Sequence, residues 1–385
     1  MKALGTVLVA LLVLGGRSLL PAPPAAPAPA PAPAGLPVLP AIATTGSMSY
    51  RGVGPAGPTV AQLVGQKLVV RMDGVTPSAD LLGRIGRGEV GGVILFGSNV
   101  TTRTALIALT AKLHGAAIAG GQPPLLIAVD QEGGSIKRIP WAPPTLSASQ
   151  IGRDGHAAVA WAQGASTGAA LRDLGIDIDF APVADVPGSS ASFMYRDGRT
   201  FSFSATGTAV LANAFASGLE SEGVLPTMKH FPGIGFATKN TDASVVTIAA
   251  SSATLAPGLA PYRTAIAHDI PIIMLSNATY PAYDAVNAAS WSRAIGVSLL
   301  RQELGFGGVT ITDSLDGTAF ARGLTTRLLA LRAAKAGTDM ILTTGSEAST
   351  RAVYATLVRE ASDGAIPAAS LRASYDRILA MKAGL

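Results

Sequence analysis

No cysteine occurs among the 385 residues, which at once excludes disulfides, thiol nucleophiles, Cys-based zinc sites and a lipid-bearing N-terminal cysteine. Charge is sparse too. Asp, Glu, Lys and Arg make up 14% of the chain, and 29 basic against 24 acidic residues leave +5 without a dense basic run. Nucleic acid is not an expected partner, because phosphate neutralisation needs clustered Lys and Arg. Histidine is limited to His114, His156, His230 and His268, and none forms HExxH or another closely spaced ligand pair. His114, His156 and His268 read as surface positions, and no metal or other cofactor is expected. A GxSxG elbow and a P-loop are also absent, which argues against serine-hydrolase and nucleotide chemistry. Gly52-Val53-Gly54-Pro55-Ala56-Gly57 fits GxGxxG in letters only, since it follows no strand and contains a proline.

What the chain does contain is apolar residue, at 48% of the total, enough to bury a large core. Lys2 followed by the apolar run Ala3–Gly16 has the make-up of an export signal. That run is short for a membrane span, which takes about 20 residues. Residues 1–20 are therefore expected to be a signal peptide or N-terminal anchor, the latter a possible membrane tether. Pro and Ala alternate from Pro21 to Pro40, a composition that forms neither helix nor central strand, so residues 21–58 are expected to be a linker. The folded part, residues 59–385, is expected to face an extracytoplasmic space, secreted or bound to the cell envelope. No obligate protein partner is evident.

From residue 60 onward, short apolar runs alternate with longer amphipathic stretches. Strands are expected at Lys67–Met72, Gly92–Phe96, Leu125–Val129, Ile176–Phe180, Leu225–Met228, Pro271–Leu275, Gly308–Thr312 and Asp339–Thr343. Helices are expected between them, as at Thr104–Ala119, Ala157–Leu174, Thr206–Glu222 and Thr325–Ala336, with Gly175, Gly223 and Gly337 as C-terminal stops. Strands that are continuously apolar are buried on both faces. Repeated β–α alternation predicts an α/β fold with a parallel sheet, and eight units can close into a (β/α)8 TIM barrel. A doubly wound open sheet is the alternative.

Polar residues gather at one end of these strands: Asp73, Asn99, Asp130, Lys229 with His230, Asn277 and Asp313. In a barrel that end is where active sites are built. Any one of them fits a helix N-cap equally well, but together they are expected to line a mixed-charge pocket for a neutral, hydroxyl-rich ligand. Two carboxyls in such a pocket suit glycoside hydrolysis, one as nucleophile and one as proton donor. Asp313, at the end of the seventh strand, is the rigid nucleophile candidate. The second group should be mobile, and a loop of about twenty residues after the fifth strand carries a single acid, Asp242. A solvated turn residue is the other reading of Asp242.

These segments include Gly91-Gly92-Val93-Ile94-Leu95-Phe96, Val129-Asp130-Gln131-Glu132-Gly133-Gly134, Phe180-Ala181-Pro182-Val183-Ala184-Asp185-Val186, Lys229-His230-Phe231-Pro232-Gly233 and Thr312-Asp313-Ser314-Leu315. In this order the chain resembles glycoside hydrolase family 3, in particular its single-domain β-N-acetylglucosaminidases, from about Val60 to the C-terminus. The resemblance implies a TIM barrel and a retaining mechanism through a covalent glycosyl-enzyme on Asp313. It implies substrate contacts from Asp130, Arg199, Lys229 and His230, and terminal β-linked N-acetylglucosamine of peptidoglycan fragments or related oligosaccharides as substrate. One departure stands out. The best-known members carry Asp-Ser-His on the loop after strand five, with the histidine as acid/base, whereas this chain has Asn240-Thr241-Asp242, and Ile234 replaces the histidine of the glycine turn. Asp242 is then the expected acid/base. It needs a pKa raised above the ordinary value near 3.9, by burial or by the charge of Asp313. A sugar-binding protein without catalysis, or a family 3 glycosidase for another sugar, are the alternatives.

Overall fold

The computed structural model describes residues 57–385. The leader and linker expectations, residues 1–20 and 21–58, fall outside the described residues except for 57 and 58. The first described helix, Val60–Gln66, is closed by a capping box in which the Thr59 hydroxyl accepts from Gln62 N while the Gln62 side chain accepts from Thr59 N.

Eight parallel strands follow: β1 Leu68–Arg71, β2 Gly92–Leu95, β3 Leu126–Val129, β4 Ile178–Asp179, β5 Leu225–Phe231, β6 Ile272–Leu275, β7 Val309–Thr312 and β8 Ile341–Thr343. Each lies beside its chain neighbour from β1 to β7, and β8 pairs with β1 through Leu68 and Ile341. Between β7 and β8 the ladder narrows to a bridge at Ile311 and Met340, which brings the sheet round to a nearly closed (β/α)8 barrel. This is the predicted fold. Strand bounds agree to within two or three residues, with one difference that matters. β5 continues through Lys229 and His230 to Phe231, because Val183 bridges Lys229 on one side while Met274 and Leu275 pair on the other.

Alternate strand residues point into the lumen, as the two-residue period requires. Val69, Ile94, Leu126, Ala128, Ile272, Met274, Ile311 and Leu342 pack there as a small apolar cluster. The other faces meet the helices in a larger core containing Leu68, Val70, Val93, Ile127, Val129, Ile273 and Leu275. Helices Ala157–Asp173 and Ala205–Ser221 pack tightly: a Cβ on Gly164 would stand 2.1 Å from the Phe215 carbonyl oxygen. The expected stop at Gly337 is seen directly, with this residue in the left-handed region at φ 96° closing helix Thr326–Ala336.

The N-terminal end of the barrel is sealed by charge. Asp339, fully buried, accepts bonds from Arg301, from Arg377 (2.6 Å) and from Ser374 (2.8 Å). Lys382, on the last helix Ala368–Lys382, donates to Gln66 Oε1 and Gly91 O. The opposite end is left for the site.

Candidate active site

The apolar lumen stops at Ile94, Met274 and Leu342, which form the floor of a cavity of about 410 Å³ at the carboxyl ends of the strands. One step further along the inward-facing series come Asp130 after Ala128, Lys229 on β5 and Asp313 after Ile311. The pleat that buries the apolar residues therefore also aims these three groups into the cavity. Arg199, His230 and Asp242 line it as well, so the six residues singled out in the sequence come together in one place.

The other polar strand ends do not line it. Asn99 is a staple: its amide donates to Met72 O and Gly74 O, and its Oδ1 accepts from Phe96 N. Asp73 stands beside Arg71 and accepts from Glu347 N. Asn277 is buried and donates at 2.6 Å to Ser314 O, so it supports the segment bearing Asp313. These three take the local roles open to any polar residue at a strand end. His114 also departs from its expected surface position. It is half-buried, its Nε2 lying 3.1 Å from Gly175 O and 3.6 Å from Asp177.

Two side chains not singled out complete the site, and both lie within the quoted segments. Glu132 accepts a two-pronged bond from Arg199, Nε to Oε2 and Nη2 to Oε1, each 2.8 Å, and lies 2.6 Å from Lys229 Nζ. Lys229 Nζ also donates to Asp130 Oδ1 at 2.8 Å. The four charges form one linked network, which Arg138 joins at 3.5 Å from Asp130, the pairing that buried charge requires. Burial works against the Glu132 carboxylate, but Arg199 and then Lys229 outweigh it and hold Glu132 well below the usual carboxylate range. Burial likewise opposes the charge on Lys229, and Asp130 with Glu132 raises its pKa above the ordinary lysine value. The second missed residue is Asp185. Its Oδ1 accepts from the backbone N–H of His230 and of Ile234, and its Oδ2 faces His230 Nδ1 at 2.8 Å. This partner makes Nδ1 the protonated nitrogen and leaves Nε2 to a ligand. The sequence signal for both was their position three and six residues after a strand end; what was missing was the need of Arg199, Lys229 and His230 for counter-charges.

Asp313 N donates to Leu275 O, and Asp313 Oδ1 accepts from Ser314 N at 2.7 Å, so one carboxylate oxygen is fixed and the other remains for chemistry. Asp242 reaches the same cavity from the loop after β5. The residue keeps an exposed face, yet protein crowds its carboxyl on the cavity side. Burial first, and repulsion from Asp313 second, push the Asp242 carboxyl up to about 7. The segment that carries it is docked on its neighbours in this structure. Thr318 Oγ1 donates to Thr241 O at 3.0 Å, and Thr279 N and Ile248 N exchange bonds with Val246 O and Thr279 O. Asn240 Oδ1 accepts from Asp242 N at 2.8 Å and tightens the turn. Chemically, the arrangement offers one ionisable group on a strand end, one proton-retaining group opposite, and a base of charged donors and acceptors suited to hydroxyls.

Comparison with known proteins shows the family and agrees with the fold. Residues 59–381 match the model of the glycosyl hydrolase family 3 N-terminal domain. An uncharacterized secreted glycosyl hydrolase of Arthroderma benhamiae is 34% identical over 332 residues, covering 85% of this chain and 94% of that one. The structure of a β-N-acetylhexosaminidase from Beutenbergia cavernae superposes with a TM-score of 0.78 at 32% identity, over 85% of this chain and 99% of the other. A glycoside hydrolase family 3 β-N-acetylglucosaminidase from Paenibacillus superposes with a TM-score of 0.81 at 30% identity; the match covers 85% of this chain but only 63% of that longer one.

Proposed function

The chain belongs to glycosyl hydrolase family 3 and is a glycosidase of the β-N-acetylhexosaminidase type, and from that premise we propose that it removes terminal β-linked N-acetylglucosamine with Asp313 as nucleophile and Asp242 as acid/base. In the first step Asp313 attacks the anomeric carbon, the glycosidic bond breaks, and the leaving oxygen takes the proton of Asp242. In the second, Asp242 accepts a proton from water, which attacks the same carbon and releases Asp313 with net retention. Asp130, Lys229, Arg199 and His230 hold the sugar hydroxyls through charged and directional bonds. The observation that carries this reading is the shared cavity, lined by Asp313 from a strand end and by Asp242 from the loop after β5, the latter with its pKa pushed up to about 7.

The glycan is taken to be a peptidoglycan fragment or related oligosaccharide, met outside the cytoplasm. The signal-like composition of residues 2–16 supports export, and a relative described as secreted is consistent with it. A panel of aryl β-glycosides, assayed with the purified protein and with Asp313→Ala, tests the assignment. Release from the N-acetylglucosaminide, lost in Asp313→Ala, is the expected result. Silence across the panel with sugar still bound would turn the site into a carbohydrate holder, and preference for another sugar would replace the specificity.

A further inference from the structure

The loop bearing Asp242 has a close neighbour in the helix that follows Asp313. A Cβ placed on Gly317 would stand 2.4 Å from the Asp242 carbonyl oxygen, closer than real Cβ contacts come, so only glycine admits this approach. The next residue, Thr318, is buried, and its hydroxyl donates at 3.0 Å to the carbonyl of Thr241, also buried. Both residues belong to helix Leu315–Ala321, which begins two residues after Asp313. Asn240, Thr241, Asp242, Asp313, Ser314 and Gly317 all border one cavity.

We propose that Gly317 and Thr318 form a latch, a pair of positioning residues that fixes the reach of Asp242 toward the anomeric centre by docking its loop on the helix that follows Asp313. The proposal rests on the reading of Asp242 as acid/base. Its physical content is that the two reacting carboxyls are referenced to one rigid element. The nucleophile is anchored at the start of that element, and the proton donor is held against its first turn by one hydrogen bond and one missing methyl group. The effect of the latch is on geometry alone, where a displacement of about 1 Å costs on the order of 100-fold in rate.

Misplacing an acid/base leaves a kinetic signature that general loss of structure does not. A sugar with a poor leaving group needs the proton, whereas a dinitrophenyl glycoside departs without it. Azide attacks the glycosyl-enzyme without base assistance, so it restores turnover and yields the glycosyl azide. Gly317→Ala and Thr318→Val are therefore expected to lower kcat/KM on the chitobioside by about 10- to 100-fold. They should leave kcat/KM on the dinitrophenyl glycoside unchanged and recover kcat with azide, as Asp242→Asn should. Thr318→Ser keeps the hydroxyl and is expected to behave as the parent. If Gly317→Ala does not fold, the Thr318 pair decides alone. Variants that match the parent, or that slow both substrates equally while Asp242→Asn shows the signature, would overturn the latch and spare the acid/base reading. Absence of the signature in Asp242→Asn would remove both.

Discussion

Aspartate serves three different ends in this molecule, and surroundings decide which. Asp242 is crowded and stands near Asp313, so its proton is retained to about 7. The glycosylation step needs that proton, so kcat/KM on a substrate with a poor leaving group should fall as pH rises through about 7. In Asp242→Asn the alkaline limb should vanish, together with a loss of about 10²- to 10⁴-fold at neutral pH, measured by pH–rate profiles. Asp179 shows the pure effect of burial. Its side chain is fully enclosed, Oδ1 accepts from Gln131 N at 2.9 Å, Oδ2 has no partner among the described residues, and burial pushes its pKa from 3.8 to about 8. The native state then keeps a proton that the unfolded chain surrenders between about 4 and 8, so this residue makes stability decline as pH rises through that window. Asp179→Asn, neutral at every pH, should flatten that decline in melting temperatures recorded from pH 4 to 8. Asp339 is the opposite case, a buried carboxylate kept charged by two arginines.

Two neighbouring helices in this chain are built to pack closely more than to present a strong apolar stripe. Ala157–Asp173 and Ala205–Ser221 contain Gly164, Gly168 and Gly218, and at all three a Cβ would meet backbone or side-chain atoms of the facing helix at 3.0 Å or less. Gly164→Ala weighs two effects. Alanine favours a helix by about 1 kcal/mol over glycine, but its methyl would lie 2.1 Å from Phe215 O, and the helices must part. The steric term wins, so net destabilisation of about 1–3 kcal/mol is expected in urea unfolding. These helices flank β4 and β5, and β5 carries Lys229 and His230 of the site, so some loss of sugar affinity should accompany it. The loop after β5 follows the same economy, admitted by glycine and tied by a few backbone bonds.

The barrel divides its polar chemistry between two ends. Charges at the carboxyl ends of the strands surround a cavity; those at the amino ends are consumed by one another. Removing one partner from the lower network leaves buried cations without an anion, which costs far more than a surface ion pair does. Asp339→Ala should therefore lower stability by about 3–5 kcal/mol in chemical denaturation while turnover per folded molecule stays at the parental level. Activity lost in proportion to unfolding would fit this division of labour; a specific change in KM would contradict it.

Periodicity and local chemistry carry much of this architecture in readable form. Continuous apolar runs mark strands buried on both faces, glycines mark helix ends, and β–α alternation leaves few ways to join the pieces, so the barrel and its eight strands can be read along the chain. The positions of Asp130, Lys229 and Asp313 are legible for the same reason, since a strand's pleat projects alternate residues to the same side. Other features depend on contacts between residues far apart in the chain. Glu132 and Asp185 were unremarkable letters until Arg199 and His230 stood opposite them, while Asn99 and Asn277 turned inward to satisfy backbone groups instead of lining the cavity. The raised pKa of Asp242 and the docking of its loop on Gly317 and Thr318 arise only from proximity across some seventy residues of chain. Electrostatic fields and steric fit act through space, and no local pattern encodes which distant groups will share it.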